Sequence, residues 1–299
     1  MKRIYGLYKI KGVTATIGIF DGVHRGHQGI LKKLVSEARR LKTKALVITF
    51  FPHPRKVLNP GAKVPLLISL EHRLRLIEER GVDFFLVIKF TKAFSRIKAE
   101  DFIKGALVDK LDIKTLVVGE NFLFGSKGGG DFPALKRLSR RYGFRLIGVR
   151  PVRMKSKYIS STRIRCAIEK GDLKNASLML ARPVTVLGTV VEGQRLGRRL
   201  GFPTANIDPH HEAIPPSGVY AVNVQLRKKN YKGILNIGTR PTFRKDREPT
   251  IELHIFNFKK DIYRKDVEIT FKRKIRDERR FSSAEALRKQ IENDIRRAR

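Results

Sequence analysis

The hydrophobic pattern of the chain changes period once, at Ala181-Arg182-Pro183. Before this point short apolar runs alternate with amphipathic stretches. After it β-branched runs follow one another with only turns between them. Strands alternating with helices demand a parallel sheet covered on both faces, because each parallel connection has to cross back over the sheet. Strands joined by turns alone demand an antiparallel sandwich or barrel. The expected organisation is therefore an α/β doubly wound parallel-sheet domain over 1–182 and an antiparallel β-barrel domain with a C-terminal helix over 183–299. The 299 residues suffice for both cores.

In the first half the pattern predicts strands over 13–20, 44–50, 84–88, 115–118 and 144–149. Helices are predicted over 27–41, 70–80, 99–110, 132–142 and 172–182, with Ser69 placed to cap the second. In the second half, strands are predicted over Val184–Val191, Gly218–Leu226, Tyr231–Ile237, Thr250–Phe256 and Val267–Ile275, followed by a helix over Ser282–Arg297.

Doubly wound sheets bind ligands beyond the C-terminal ends of their strands, and the unusual sequences of the first half fall there. After the first strand come Gly18, Phe20, the turn Asp21-Gly22, and then His24-Arg25-Gly26-His27 at a helix start. A helix N-terminus offers free N–H groups and partial positive charge, which suit a phosphate, and two imidazoles add donors. A plain surface turn or a metal pair are the other readings, and no Cys, His or carboxylate cluster nearby favours a metal. Phe50-Phe51-Pro52-His53-Pro54-Arg55 follows the second strand, with rings to cover a flat ligand and Arg55 to meet a phosphate. Gly119-Glu-Asn121-Phe122-Leu123-Phe124-Gly125 follows another, and Ile159-Ser-Ser161-Thr162-Arg163-Ile-Arg165 opens a helix.

In the second half Gly193-Gln-Arg-Leu-Gly197-Arg198-Arg-Leu-Gly201-Phe-Pro203-Thr204-Ala-Asn206 reads as a loop able to wrap a phosphate chain. Thr204 and Asn206 supply the oxygen donors that Mg²⁺ accepts. Glu252, between Ile251 and Leu253, points away from its apolar neighbours by strand alternation.

Lys and Arg number 65 against 28 Asp and Glu, a formal charge of +37 spread along the whole chain. Such a field attracts polyanions without naming one, and nonspecific polyanion binding at low salt is expected. No apolar run approaches the ~18 residues of a membrane span, so no membrane partner is expected. The single Cys166 and an N-terminus broken by Lys9 and Lys11 suit a cytoplasmic protein.

Thr16-Ile-Gly-Ile-Phe-Asp-Gly-Val-His-Arg-Gly-His27 resembles the signature of the nucleotidylyl transferases with a histidine-glycine-histidine motif, in the form found in bacterial FAD synthetases. The Phe-x-Pro-His-Pro, Asn121-Phe-Leu-Phe-Gly125 and Ile159-Ser-Ser-Thr segments are similar to that family's. Residues 193–206, Gly218-Val-Tyr220, Asn236-Ile-Gly-Thr-Arg-Pro-Thr-Phe243 and Ile251-Glu-Leu-His254 are similar to riboflavin kinases. The chain thus resembles the bifunctional riboflavin kinase/FAD synthetase family over nearly its whole length.

The resemblance implies a Rossmann-like nucleotidylyl transferase domain and a kinase barrel, converting riboflavin to FMN and FMN to FAD with ATP and Mg²⁺. It implies catalytic roles for His24, His27, Asn121 and Arg163 in adenylyl transfer, and for Glu252 as general base in phosphorylation. It assigns Gly18, Phe20, Asp21, Gly22, Phe51, Pro52, His53, Phe122, Phe124, Ser161, Thr162 and Arg165 to binding in the first domain. Gly193, Gly197, Arg198, Gly201 and Pro203 bind in the second, with Thr204 and Asn206 on the metal. Leu123 stands where many members have Arg, Arg264 where a turn glycine is usual, and Val184 where an aromatic is common.

Overall fold

The computed structural model describes residues 1–5, 10, 12–61, 65–193, 201–210, 212–239 and 249–299. They form two units, Met1–Val64 with Leu70–Ser161, and Pro65–Ser69 with Thr162–Arg299.

The first unit contains β1 (Lys2–Tyr5), β2 (Val13–Ile17), α1 (Arg25–Arg40), β3 (Lys44–Phe51), α2 (Pro54–Leu58), α3 (Leu70–Glu78), β4 (Phe84–Lys89), α4 (Ala99–Phe102), β5 (Thr115–Gly119), α5 (Phe132–Arg141) and β6 (Arg145–Val149). A hairpin of β7 (Arg153–Met154) and β8 (Lys157–Tyr158) follows. Among the described residues β1 to β6 make one parallel sheet in the order β1-β4-β3-β2-β5-β6. The central strands are buried on both faces, as their continuous apolar runs require: every residue of β2 is buried. The predicted helix 99–110 is α4 continuing into a π-helical segment, Ile103–Val108. β1 carried no pattern to read, since only Ile4 of its four residues is buried. The strand predicted over 13–20 ends at Ile17, and Phe20 takes φ 53°, which turns the chain out of the sheet.

The second unit continues α6 (Ser161–Glu169) and adds α7 (Leu173–Leu180), β9 (Thr185–Val191), β10 (Ala205–Asp208), β11 (Gly218–Leu226), β12 (Lys229–Thr239), β13 (Pro249–Ile255), β14 (Asp266–Arg276) and α8 (Ala284–Ala298). Asp172 caps α7, accepting from Asn175 N at 3.1 Å, and Ala181 ends it in the left-handed region at φ 52°. The strands close into an antiparallel barrel in the order β10-β13-β12-β11-β14-β9. Its alternation is regular: Ile251, Leu253 and Ile255 are buried, and Glu252 and His254 between them are half-buried.

Ser283 caps α8, and Ile291 and Ile295 pack on a cluster that includes Val219, Ile234 and Phe256. The buried Asp294 of this helix receives Arg276 Nε at 2.9 and 3.2 Å and Gln290 Nε2 at 2.7 Å. The segment Pro65–Ser69 is held by the buried Glu212, which accepts from Ser69 N at 2.7 Å and from Leu187 N at 3.0 Å. No helix among the described residues is long and apolar enough to cross a membrane.

Candidate functional site

The strand order of the parallel sheet reverses between β2 and β5. Ligands of doubly wound sheets sit at such a reversal, and a cavity of about 970 Å³ opens there. Its walls are the turn after β2, the loop after β3, the Gly119–Gly128 segment after β5, and Val149–Val152 with Ser160 and Ser161.

His24 is the N-cap of α1, and its Nδ1 accepts from His27 N at 3.4 Å. In the neutral ring that acceptor role leaves the proton on Nε2. The two imidazoles stack at 3.6 Å with 18° between planes, and Phe20 lies 5.1 Å from the His27 ring. Gly26 makes room for this arrangement: a Cβ there would lie 3.2 Å from His24 Cε1. Burial lowers the His24 pKa from 6.5 to about 4. His27 is held well below the usual histidine range by burial and by the charges of His24 and Arg73. Both rings are thus neutral near pH 7 and act as hydrogen-bond donors and acceptors. The first turn of α1 carries no acidic residue, so its positive end stays uncompensated for an anion.

Ser161 Oγ donates to the Asp21 carbonyl at 2.9 Å. One bond therefore joins the two motifs that lie farthest apart in this half of the sequence. Asp21 and Gly22 are buried within the turn. Gly18, Phe20, His24, His27, His53, Asn121, Phe122, Phe124 and Ser161 line the cavity. Phe122 and Phe124 lie nearly parallel, with centroids 5.6 Å apart and 6° between planes.

Phe51 and Pro52 do not line the cavity, whereas Phe50, Pro54 and Arg55 do. Successive strand residues face opposite ways, and Phe50 takes the inward place while Phe51 is 48% exposed. Thr162, Arg163 and Arg165 belong to the second unit. There Arg165 is buried, with Nε donating to the Pro65 carbonyl at 2.7 Å.

Residues that pattern reasoning passed over also line the cavity: Phe90, Phe94, Arg96 and Arg150. Phe90 packs edge-on to Phe50 at 5.8 Å and lies 5.6 Å from Phe94. The available signal was place: Phe90, Phe94 and Arg96 come just after β4 and Arg150 just after β6, at the strand ends that the β3 loop also leaves.

In the barrel, Glu252 on β13 stands directly opposite Asn206 on β10 and Asn236 on β12. Directly paired residues share a face, so a carboxylate sits in a row between two amides. Asn206, expected in a loop, is the second residue of β10. A Cβ at Gly193 would lie 1.8 Å from Asn206 Nδ2, so this glycine leaves the space that the amide fills. Thr204 is half-buried one residue before β10. His254 Nδ1 lies 2.9 Å from the Pro203 carbonyl, fixing the end of the glycine-rich segment against β13. Gly201 has φ 87°. Gly197 and Arg198 lie outside the described residues. The described residues hold no group of three or more His, Cys, Asp or Glu side chains able to bind a metal.

A family model described as FAD synthetase matches residues 8–163, and one described as riboflavin kinase matches 180–299. Bifunctional riboflavin kinase/FMN adenylyltransferase of Escherichia coli strain K12 is 37% identical, over 98% of this chain and 96% of its own. That of Haemophilus influenzae is 38% identical, over 99% and 97%. A crystal structure described as a macrolide-efflux protein from Streptococcus pneumoniae is 30% identical with a TM-score of 0.85, covering 98% of this chain and 97% of that one. The full-length matches, the paired family models and the two folds agree: the chain belongs to the bifunctional riboflavin kinase/FMN adenylyltransferase family.

Proposed function

We propose that residues 183–299 phosphorylate riboflavin and residues 1–182 adenylylate the resulting FMN, each through the side chains described above. Matched spans that end at 163 and resume at 180 support a division of the two activities near Arg182-Pro183.

In the barrel the 5′-hydroxyl of riboflavin attacks the γ-phosphorus of ATP. Glu252 takes the hydroxyl proton, and ADP leaves. Asn206 and Asn236 flank Glu252 on the same face of the barrel. Thr204 and Asn206 fit Mg²⁺, each carrying a hard oxygen donor, with the Asn206 amide seated where Gly193 leaves space for it. Bound there, Mg²⁺ neutralises charge on the ATP phosphates. Gly193, Gly201 and Pro203 bind beside those phosphates.

In the parallel-sheet unit a phosphate oxygen of FMN attacks the α-phosphorus of ATP, and pyrophosphate leaves. The nucleophile is already an anion, so alignment and charge stabilisation do most of the catalysis. Neutral His24 and His27 donate to phosphate oxygens beside the bare N-terminus of α1. Ser161 extends the triphosphate site. Asn121, Phe122 and Phe124 hold the flavin, with Phe50, His53 and Arg55 bounding the nucleotide. A charge of +37 draws anionic nucleotides to the chain and makes weak polyanion binding its by-product. A reducing cytoplasm suits the exposed, free Cys166.

The Ser161–Asp21 bond carries this reading for the first site, because it brings two phosphate-binding motifs to one cavity. The test is chromatography of the products from riboflavin, ATP and Mg²⁺. FMN followed by FAD is expected, and the absence of either flavin nucleotide overturns the corresponding half.

A further inference from the structure

Arg73 lies in the first turn of α3, yet its side chain is only 2% exposed. A buried guanidinium is costly unless it has work within the fold. Its Nη1 donates to Thr49 Oγ1 at 3.3 Å, and that hydroxyl donates onward to the Ile19 carbonyl at 3.4 Å. Thr49 is fully buried at the C-terminal part of β3, and Ile19 belongs to the turn that leads from β2 to His24. The chain Arg73–Thr49–Ile19 therefore braces that turn from behind.

The crossovers from β2 to β3 and from β3 to β4 run in the same direction along the sheet. The right-handed rule puts α1 and α3 on one face, with both N-terminal turns at the strand ends where the cavity lies. The charge of Arg73 acts on His27. His27 lines the cavity, while its Nδ1 is enclosed and has no hydrogen-bond partner among the described residues. An enclosed nitrogen without a partner is favoured as a lone pair over an N–H that would go unbonded, and a cation facing it adds to that preference.

We infer that Arg73 is a positioning residue for adenylyl transfer, which braces the Gly18–Asp21 turn through Thr49 and keeps the His27 proton on Nε2, where it can meet a phosphate oxygen. The catalytic part of this inference rests on the proposed function of the first site; the tautomer does not. His24 reaches the same state by a different route, its Nδ1 being occupied by the His27 backbone N–H. Two stacked imidazoles would then both present Nε2–H.

Nitrogen-15 NMR of the full-length chain with labelled histidine reads the tautomers directly, His27 being assigned by the signals lost in His27→Asn. The wild type is expected to show Nδ1 unprotonated and Nε2 protonated. In Arg73→Met the His27 tautomer balance should move toward Nδ1–H. The kcat for FAD formation from FMN should fall about ten- to hundredfold, with the KM for FMN within about twofold. Arg73→Lys should restore the wild-type tautomer and most of the rate, and riboflavin phosphorylation should be unchanged in both variants. A His27 Nδ1–H signal in the wild type overturns the proposal without any variant, and so does an unmoved balance in Arg73→Met. If the tautomers follow Arg73 but the wild type makes no FAD, the activity assigned to the site has failed and the structural role of Arg73 has not.

Discussion

The hydroxyl of Ser161 and the carbonyl of Asp21 are 2.9 Å apart although 140 residues separate them in sequence. The bond fixes Ser161 to the turn before His24. Ser161→Ala leaves the Asp21 carbonyl without this donor, at a cost of about 1 kcal/mol, and lets the Asp21–His27 turn and Ser161 drift apart. FAD formation from FMN should fall about ten- to hundredfold while riboflavin phosphorylation keeps its rate. Equal loss of both activities would point to general unfolding instead.

Gly193 is the sharpest steric constraint on the barrel site. The Cβ of Gly193→Ala would fall 1.8 Å from Asn206 Nδ2, so the amide opposite Glu252 has to move. Riboflavin phosphorylation should drop about a hundredfold, and FAD formation from added FMN should be unaffected. Steady-state assays of the two half-reactions separate these outcomes.

The two stacked histidines make the folded state sensitive to mild acid. Their folded pKa values are depressed, so between 6.5 and the folded value the unfolded chain binds protons that the folded chain does not. Their contribution to stability is complete above pH 6.5 and declines as pH falls. For His24 the decline reaches roughly 3 kcal/mol by its folded value of about 4. Urea unfolding at pH 7.5, 6 and 5 should show a shallower loss in His24→Asn, which keeps a capping side chain, than in the wild type. An identical slope would mean that His24 is not held neutral.

The helix α8 is tied to the barrel by a buried charge. Asp294 is 1% exposed, and it accepts both Arg276 Nε and Gln290 Nε2. Asp294→Ala strands the Arg276 guanidinium, so unfolding of the second unit should become easier by about 3–5 kcal/mol. Asp294→Asn should cost less, since the amide oxygen still accepts. Denaturant midpoints of the full chain measure both.

Period and turn chemistry make most of the architecture legible in the sequence. The switch of period at 181–183 anticipated both folds, and the buried runs of β2, β3 and β5 identified the centre of the parallel sheet. Elements that bury little could not be read this way. β1 hides one side chain, and β10 is four residues within a stretch whose glycines and arginines suggest a loop. Of the residues that line the cavity, His24, His27 and Asn121 stood out because their residue types follow strand ends. Phe90 and Phe94 did not, because apolar rings after a strand look the same whether they face a core or a cavity. Arg73 was invisible for a further reason: on a basic helix face, a buried arginine and a solvated one have the same spacing.

The central claim is that one chain carries two separable sites, one built on His27 and the other on Glu252. The direct test is product chromatography for His27→Ala and Glu252→Ala, each given riboflavin, ATP and Mg²⁺ and then FMN, ATP and Mg²⁺. His27→Ala should accumulate FMN and make little FAD from either flavin, while Glu252→Ala should make FAD only when FMN is supplied. FAD produced by His27→Ala at the wild-type rate, or FMN produced from riboflavin by Glu252→Ala at the wild-type rate, would contradict the account.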